Sequence, residues 1–399
     1  MLIKRRTFLQ TGSLATASMM VPRFLKAMER PGSLPATQKI LVVLQLSGGN
    51  DGLNTVIPYR NDVYYRERPR LGITRRNCLP LNDDAGIHPS LPFFKTLHDE
   101  GYLSIMNSVG YPDPDRSHFR SMDIWQTASK SNEYLYTGWL GRWLDQQCKD
   151  CDHPTQALEL DDMLSLALKG NEQNGIAFKD PGRLFQSSRN PLYADVVKAH
   201  ERAHASQTAD YLYKTLAGSL SSADYIYRNS KLNRSVVTYP STELGRNLRN
   251  ISSLILSGIN TRVYYVSVGS FDTHVAQDMQ QRRLFSEIND AVQSFVTDLK
   301  KNNRFKDVLL VSFSEFGRRV AQNASGGTDH GTANNMFFIG GGLSRKGILN
   351  ALPDLTRLDD GDLLYQVDFR QVYATLLDKW LDAPAAGILG GSFQPMDFL

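Results

Sequence analysis

Ile40-Leu41-Val42-Val43-Leu44-Gln45-Leu46 runs directly into Ser47-Gly48-Gly49-Asn50-Asp51-Gly52. A continuous apolar run, in place of apolar and polar residues in alternation, reads as a strand buried on both faces, as in a parallel sheet. The glycines and polar residues that follow stop the strand and carry Asp51 into a loop at its carboxyl end, where open α/β sheets hold their ligands. Similar runs at 103–109, 263–268, 308–313 and 336–339 mostly end in Gly, Ser, Asp or Asn. Segments of helical period lie between them at 91–98, 193–230, 244–257, 277–301 and 369–381. In the fourth, Leu284, Ile288, Val292, Phe295, Val296 and Leu299 recur mostly at spacings of three and four, a stripe that faces a core. Strands alternating with helices predict an α/β fold with a mostly parallel central sheet and helices on both faces.

The composition agrees with a large folded core. Of 399 residues, 41% are apolar and 22% charged, too little charge bias for disorder. The 45 basic and 41 acidic residues are intermixed, which argues against a nucleic-acid-binding stripe. The arginines at 66, 68, 70, 75 and 76 read as a solvated loop. Cys78, Cys148 and Cys151 are too few for a disulfide scaffold, and the lone Cys148-x-x-Cys151 lacks the two further ligands of a zinc site.

Lys4-Arg5-Arg6-Thr7-Phe8-Leu9 opens the chain and leads into a mildly apolar Ala/Ser/Thr/Met stretch to Val21. Paired arginines before such a stretch predict a removable twin-arginine signal over residues 1–30, with the twin-arginine translocon as a transient partner. Residues 31–38 read as a linker, and 39–399 as one α/β domain with a helical insertion at about 190–235. No later apolar run is long enough to span a membrane, so the expected location of the mature protein is periplasmic or secreted, without a stable membrane span.

Polar clusters after the predicted strands supply the candidate chemistry. Asn50-Asp51-Gly52, Phe271-Asp272-Thr273-His274, Ser314-Glu315-Phe316-Gly317-Arg318 and Gly327-Thr328-Asp329-His330-Gly331 put carboxylates and imidazoles in loops, where they suit a divalent metal. Asp113-Pro114-Asp115-Arg116-Ser117-His118 adds a hydroxyl between a cation and an imidazole. Ser117 is therefore the candidate nucleophile, Arg116 a group that holds an anion, and His118 a proton donor. The alternative for Ser117 is a helix cap. His88 reads as a packed loop histidine or as a residue supporting the site.

These motifs, with Gly-Trp-Leu-Gly-Arg-Trp at 138–143 and Asp-Phe-Arg-Gln-Val-Tyr at 368–373, resemble the domain-of-unknown-function family 1501 across the mature chain. That family in turn looks like a branch of the alkaline phosphatase and sulfatase superfamily, whose members hold divalent metal over a nucleophilic Ser, Thr or Cys. The resemblance implies an alkaline phosphatase-like fold. It also implies a divalent cofactor (zinc, manganese, calcium or magnesium) and an anionic small-molecule or carbohydrate ester as substrate. Position by position, it implies metal ligands at Asp51, Asp272 and His274, a further ligand at Glu315 or at Asp329 with His330, and Ser117 as the nucleophile; the charge of an ester dianion adds Arg116 and Arg318 as groups that neutralise its oxygens, and His118 as the group that protonates the leaving oxygen. Two departures matter: Asp272 and His274 are separated by one residue where the superfamily commonly has three, and no histidine follows His330. Either Glu315 or Asp329 could fill the ligand position after the strand. Two functions remain open: a metal-assisted hydrolase of phosphate or sulfate esters, and an inactive relative serving as a binding or assembly factor in the cell envelope.

Overall fold

A computed structural model describes residues 38–147, 155–200, 207–233 and 235–399. The expected signal at 1–30, most of the linker and the Cys148/Cys151 pair lie outside the described residues.

Among the described residues, nine strands form one sheet. In chain order they are β1 (Ile40–Leu46), β2 (Leu103–Gly110), β3 (Ala157–Glu159), β4 (Ile176–Ala177), β5 (Val263–Val268), β6 (Val308–Phe313), β7 (Asn334–Gly340), β8 (Gly347–Ile348) and β9 (Val367–Asp368). Their spatial order is β8-β2-β7-β6-β1-β5-β3-β4, and β9 also pairs with β2. β1 sits near the middle, parallel to β5 on one side and β6 on the other. β7 is antiparallel to both of its neighbours, while every other pairing in the sheet is parallel. The expected mostly parallel α/β sheet is thus observed, with one reversed strand.

All seven residues of β1 are buried, which explains its unbroken apolar run. Ile40, Val42 and Leu44 face a core shared with α1 (Pro92–Asp99) and with two helices defined below. Leu41 and Val43 point the other way, into a core with Ile124 and Trp125 of α2 (His118–Thr127). α3 (Gln207–Leu232) precedes α4 (Glu243–Ser257) and α5 (Gln277–Lys301), which cover the first face. The stripe from Leu284 to Leu299 is buried along α5 as its spacing requires. A further helix, α6 (Phe369–Thr375), closes the second face with Phe369 and Tyr373 around Trp125. Among the described residues no helix is long and apolar enough to cross a membrane.

One composition-based expectation fails. Arg68, placed with the solvated arginines, is fully buried. Its Nη1 pairs with Asp51 Oδ2 at 2.6 Å, and its other donors bind Asn54 Oδ1, Val320 O and Arg319 O. A charge run shows which residues prefer water on average, not which one a buried carboxylate will recruit.

Candidate metal centre at the carboxyl edge of the sheet

Parallel strands deliver the loops after them to one edge, so residues 47–51, 111–118, 269–274 and 314–318 meet there. Residues 326–332 reach the same edge from the opposite direction, because they lead into the reversed strand β7. The β6 exit and the β7 entry pair with each other through an antiparallel bridge between Arg318 and His330. Glycine permits the close packing. Gly48 has φ +117°, and a Cβ there would lie 2.4 Å from Asp272 N; one on Gly327 would lie 2.3 Å from the His274 carbonyl carbon.

Three imidazoles converge on Asp272. His274 Nε2 and His330 Nε2 stand 3.0 and 3.2 Å from Asp272 Oδ1, and 3.0 Å from each other. His118 Nε2 stands 3.5 Å from Asp272 Oδ2; it is a buried atom and makes no hydrogen bond. Ligand atoms of His118, Asp272 and His330 all lie within 4.8 Å of one another, a grouping suited to a metal ion. On the far side of each ring, Nδ1 meets an acceptor: Glu315 Oε1 at 2.9 Å for His118, Asp329 Oδ1 at 2.9 Å for His274 and Arg116 O at 2.8 Å for His330. Phe316 packs against the rings of His118 and His330, with centroids 4.8 and 4.7 Å away.

Arg318 holds the loops together. Its guanidinium is fully buried and donates to Gly49 O (2.6 Å), Thr328 O (2.9 Å), Phe271 O (2.9 Å), Gly48 O and Asp272 Oδ1 (2.8 Å). Burial alone would raise the Asp272 pKa, but the hydrogen bonds from Arg318 and His330 and the nearby positive charge outweigh it and bring it down to about 2. The hydrogen bond to Glu315, together with nearby negative charge, raises the pKa of His118 against the opposing effect of burial. The hydrogen bond from His274 lowers that of Asp329.

The remaining expected site residues lie around this centre in different roles. Asp51 is buried and caps a short helix, Gly52–Thr55, by accepting from Leu53 N at 3.1 Å and Asn54 N at 3.4 Å through Oδ1. Its Oδ2 meets Arg68 and Gln277 Nε2, so both oxygens are engaged with protein donors. Gln277, the first residue of α5, gave no sequence signal beyond helix periodicity, yet its Oε1 accepts from Thr273 and Thr328 and links Asp51 to the site loops. Glu315 is buried behind His118, where Oε1 also accepts Gly48 N at 2.7 Å. Arg116 turns its guanidinium to Asp360 at 3.3 Å and to the buried Asp362.

Ser117 occupies the N-cap position of α2, but its side chain makes no capping bond. The residue is exposed, and its backbone N–H donates to Asp115 Oδ1 at 2.7 Å. Its chain neighbours Arg116 and His118 are both tied into the imidazole cluster. A cavity of about 180 Å³ adjoins the centre across Phe316, lined also by Tyr111, Asp113, Asp115, Thr332 and Tyr365. His88 lies apart, buried edge-on to Phe285, and burial lowers its pKa to about 4, which fits the packed-histidine reading.

The chain is similar to several solved structures at low identity. The lipoteichoic acid synthase LtaP from Listeria monocytogenes is 10% identical, with TM-score 0.36 over 80% of this chain and 70% of that one. A sulfatase from Pseudoalteromonas sp. is 14% identical, with TM-score 0.39 over 94% and 73%. An alkaline phosphatase from the Antarctic bacterium TAB5 is 11% identical, with TM-score 0.30 over 76% and 92%. No curated protein matches the sequence. Residues 38–380, from just before β1 to the end of the helical segment after α6, match the profile of the family described as protein of unknown function DUF1501, and the chain belongs to that family.

Proposed function

We propose that this protein is an exported hydrolase of phosphate or sulfate esters that works with a divalent ion held by His118, Asp272 and His330, with Ser117 as the nucleophile. The observation that carries this reading is the convergence of those three ligands, with the unpaired His118 Nε2 among them, beside a serine whose side chain does not cap its helix. An orphaned buried nitrogen costs about 1–3 kcal/mol unless something fills its lone pair. A cation does so.

Charge supports the same conclusion. Asp272, Asp329 and Glu315 set against Arg318 leave two negative charges around the imidazoles, which one divalent ion balances. Both arginines expected to hold the substrate anion are otherwise engaged, Arg318 in the loops and Arg116 with Asp360 and Asp362. When bound, the ion supplies the positive charge that lets a hydroxyl approach a negatively charged ester group. Ser117 Oγ, giving its proton to solvent, then bonds to phosphorus or sulfur as the bond to the leaving alcohol breaks, and water releases the acid and restores the hydroxyl. His118 has both ring nitrogens turned to carboxylates, so the leaving oxygen takes its proton from solvent at this half-open site. The organic part of the ester fits the cavity beside Phe316.

A second reading, a binding or assembly factor of the cell envelope, draws support from Phe119 and Tyr136, which are 88% and 89% exposed on the segment after β2. The test is to load the purified chain with zinc, manganese, magnesium or calcium and screen it against aryl phosphates, phosphodiesters and aryl sulfates beside Ser117→Ala. Hydrolysis that falls to background in the variant supports the enzyme. Activity unchanged by Ser117→Ala removes the nucleophile, and absence of both turnover and bound metal favours the binding role.

A further inference from the structure

We infer that Arg116 and Arg319 form an oxyanion-binding site beside the candidate metal centre, that the hairpin carboxylate of Asp360 is its built-in occupant, and that a phosphate or sulfate group binds there by displacing Asp360. The site stands on contacts of its own and requires neither the metal nor the hydrolysis proposed above.

The occupant sits on a turn. Leu358–Asp359 and Asp362–Leu363 pair antiparallel as a hairpin apart from the main sheet, and Asp360 with Gly361 joins them. Both turn residues have positive φ, +50° and +83°, the pattern of a tight two-residue hairpin turn that Asp-Gly favours. The turn places the Asp360 carboxylate between guanidinia from two separate loops. Its Oδ2 accepts from Nη1 and Nη2 of Arg116 at 3.3 Å each, and from Nη2 of Arg319 at 3.1 Å. Several guanidinium donors converging on one negatively charged oxygen are what a phosphate or sulfate group recruits. The hydrogen bond from Arg116, with the charge of both arginines, holds the Asp360 pKa below the ordinary carboxylate value, so the present occupant is itself an anion.

Exposure lets this occupant leave. The Asp360 side chain is 72% exposed, and ion pairs in contact with water are weak. The base of the hairpin is tied down by Thr332 Oγ1, which donates to Leu363 O at 2.5 Å, whereas at the tip Val320 N lies 3.4 Å from Gly361 O. Asp362 is the opposite case. It is buried, pairs by charge with Arg116 Nη2 and lies 3.8 Å from Arg319 Nε, while neither of its oxygens accepts a hydrogen bond of good geometry. Asp362 therefore keeps the guanidinia in place when Asp360 turns away, and two arginines against one carboxylate leave a positive charge for the arriving oxyanion. Arg116 O meets His330 Nδ1 at 2.8 Å and Arg319 N donates to Asp329 O at 3.0 Å, so both residues are rooted in the loops of the metal centre while their guanidinia face the hairpin. Asp115 and Asp359, chain neighbours of Arg116 and Asp360, line the cavity beside Phe316. A ligand in that cavity can carry its own phosphate or sulfate to the arginines, and a free anion can reach them from solvent. The partner of Arg116 in holding an anion is thus Arg319, where the sequence suggested Arg318.

The test is isothermal titration of the full-length mature chain with sodium sulfate and sodium phosphate, against chloride at equal ionic strength. Phenyl sulfate and phenyl phosphate form the second arm: tighter binding than the inorganic ions assigns the site to a group carried on a ligand, and equal binding assigns it to the free anion. Titrations before and after dialysis against a chelator separate this site from any anion held at the metal centre. Asp360→Asn removes the competing charge and keeps the turn, because asparagine also adopts positive φ. It should tighten sulfate binding by about 3–10-fold. Arg319→Gln should weaken it by about tenfold or more. If the four side chains only clamp the hairpin, Asp360→Asn lowers thermal stability and gains no affinity. Sulfate affinity unchanged or lower in a folded Asp360→Asn, or unchanged in a folded Arg319→Gln, would overturn the inference. Thermal unfolding checks both variants, and Asp360→Asn decides the matter should Arg319→Gln fail to fold. Sulfate binding that follows both variants without ester hydrolysis leaves the inference standing and removes the hydrolase reading. Ester hydrolysis with sulfate binding indifferent to both variants does the reverse.

Discussion

Replacing Arg318 by methionine tests whether this arginine is a clamp or a substrate-binding cation. Methionine fills the space of the stem but removes every donor, leaving the carbonyls of Gly48, Gly49, Phe271 and Thr328 and one side of Asp272 without their partner. Breaking a buried charged network by removing one member costs about 3–5 kcal/mol. Four buried carbonyls at roughly 1 kcal/mol each give a similar figure. A loss of about 4 kcal/mol is a large share of the roughly 5–15 kcal/mol that stabilises an ordinary domain. Urea unfolding at pH 7 should show this loss as a lower midpoint with unchanged slope. Arg318→Lys should recover only part of it, because one ammonium cannot span acceptors on three loops. Metal affinity should fall with stability, since Asp272 loses the guanidinium that keeps it ionised and aimed. A folded Arg318→Met within about 1 kcal/mol of the parent chain, defective only in KM for an anionic ester, would refute the clamp and restore Arg318 as a substrate contact.

Three shorter predictions follow from other parts of the chain. Asp51→Asn should destabilise by about 3–5 kcal/mol, because it leaves the buried Arg68 without its counter-charge, yet metal content should stay the same; loss of metal in a folded variant would make Asp51 a ligand after all. Glu159 is buried in β3, and burial pushes its pKa up to about 7, so the folded state holds this proton more tightly than the unfolded chain. Stability therefore falls as pH rises between the ordinary carboxylate value and about 7, by up to about 3 kcal/mol. Glu159→Gln should flatten that part of the pH profile and be the more stable form at pH 8, and an unchanged slope between pH 5 and 8 would count against it. For export, Arg5→Lys with Arg6→Lys should leave precursor in the cytoplasm, and normal processing of that double variant would defeat the signal assignment.

The strands were legible because burial on both faces demands uninterrupted apolar residues, as in β1, β5 and β6. Asp272, His274, Asp329 and His330 were legible as site candidates because polar side chains among glycines and threonines make poor core. Side-chain direction was not legible. Asp51 and Glu315 leave their strands facing buried donors, and His118 turns inward from the first position of α2, which no local periodicity specifies. The reversal of β7 was also hidden, since strand direction depends on the path between elements. That reversal brings residues 326–332 to the site edge although they precede their strand. The two-residue strands β4, β8 and β9 are too short to carry a pattern. Gln277 is a buried polar residue whose partners come from three separate loops, so nothing near it in the sequence announces them.

The most direct test is anomalous diffraction at the zinc edge from crystals of the zinc-loaded chain. The account predicts a single strong peak within bonding distance of His118 Nε2, His330 Nε2 and an Asp272 carboxylate oxygen, with Glu315 and Asp329 still bonded to Nδ1 of their histidines. A peak seated on Asp51, or none at the carboxyl edge of the sheet, would contradict it.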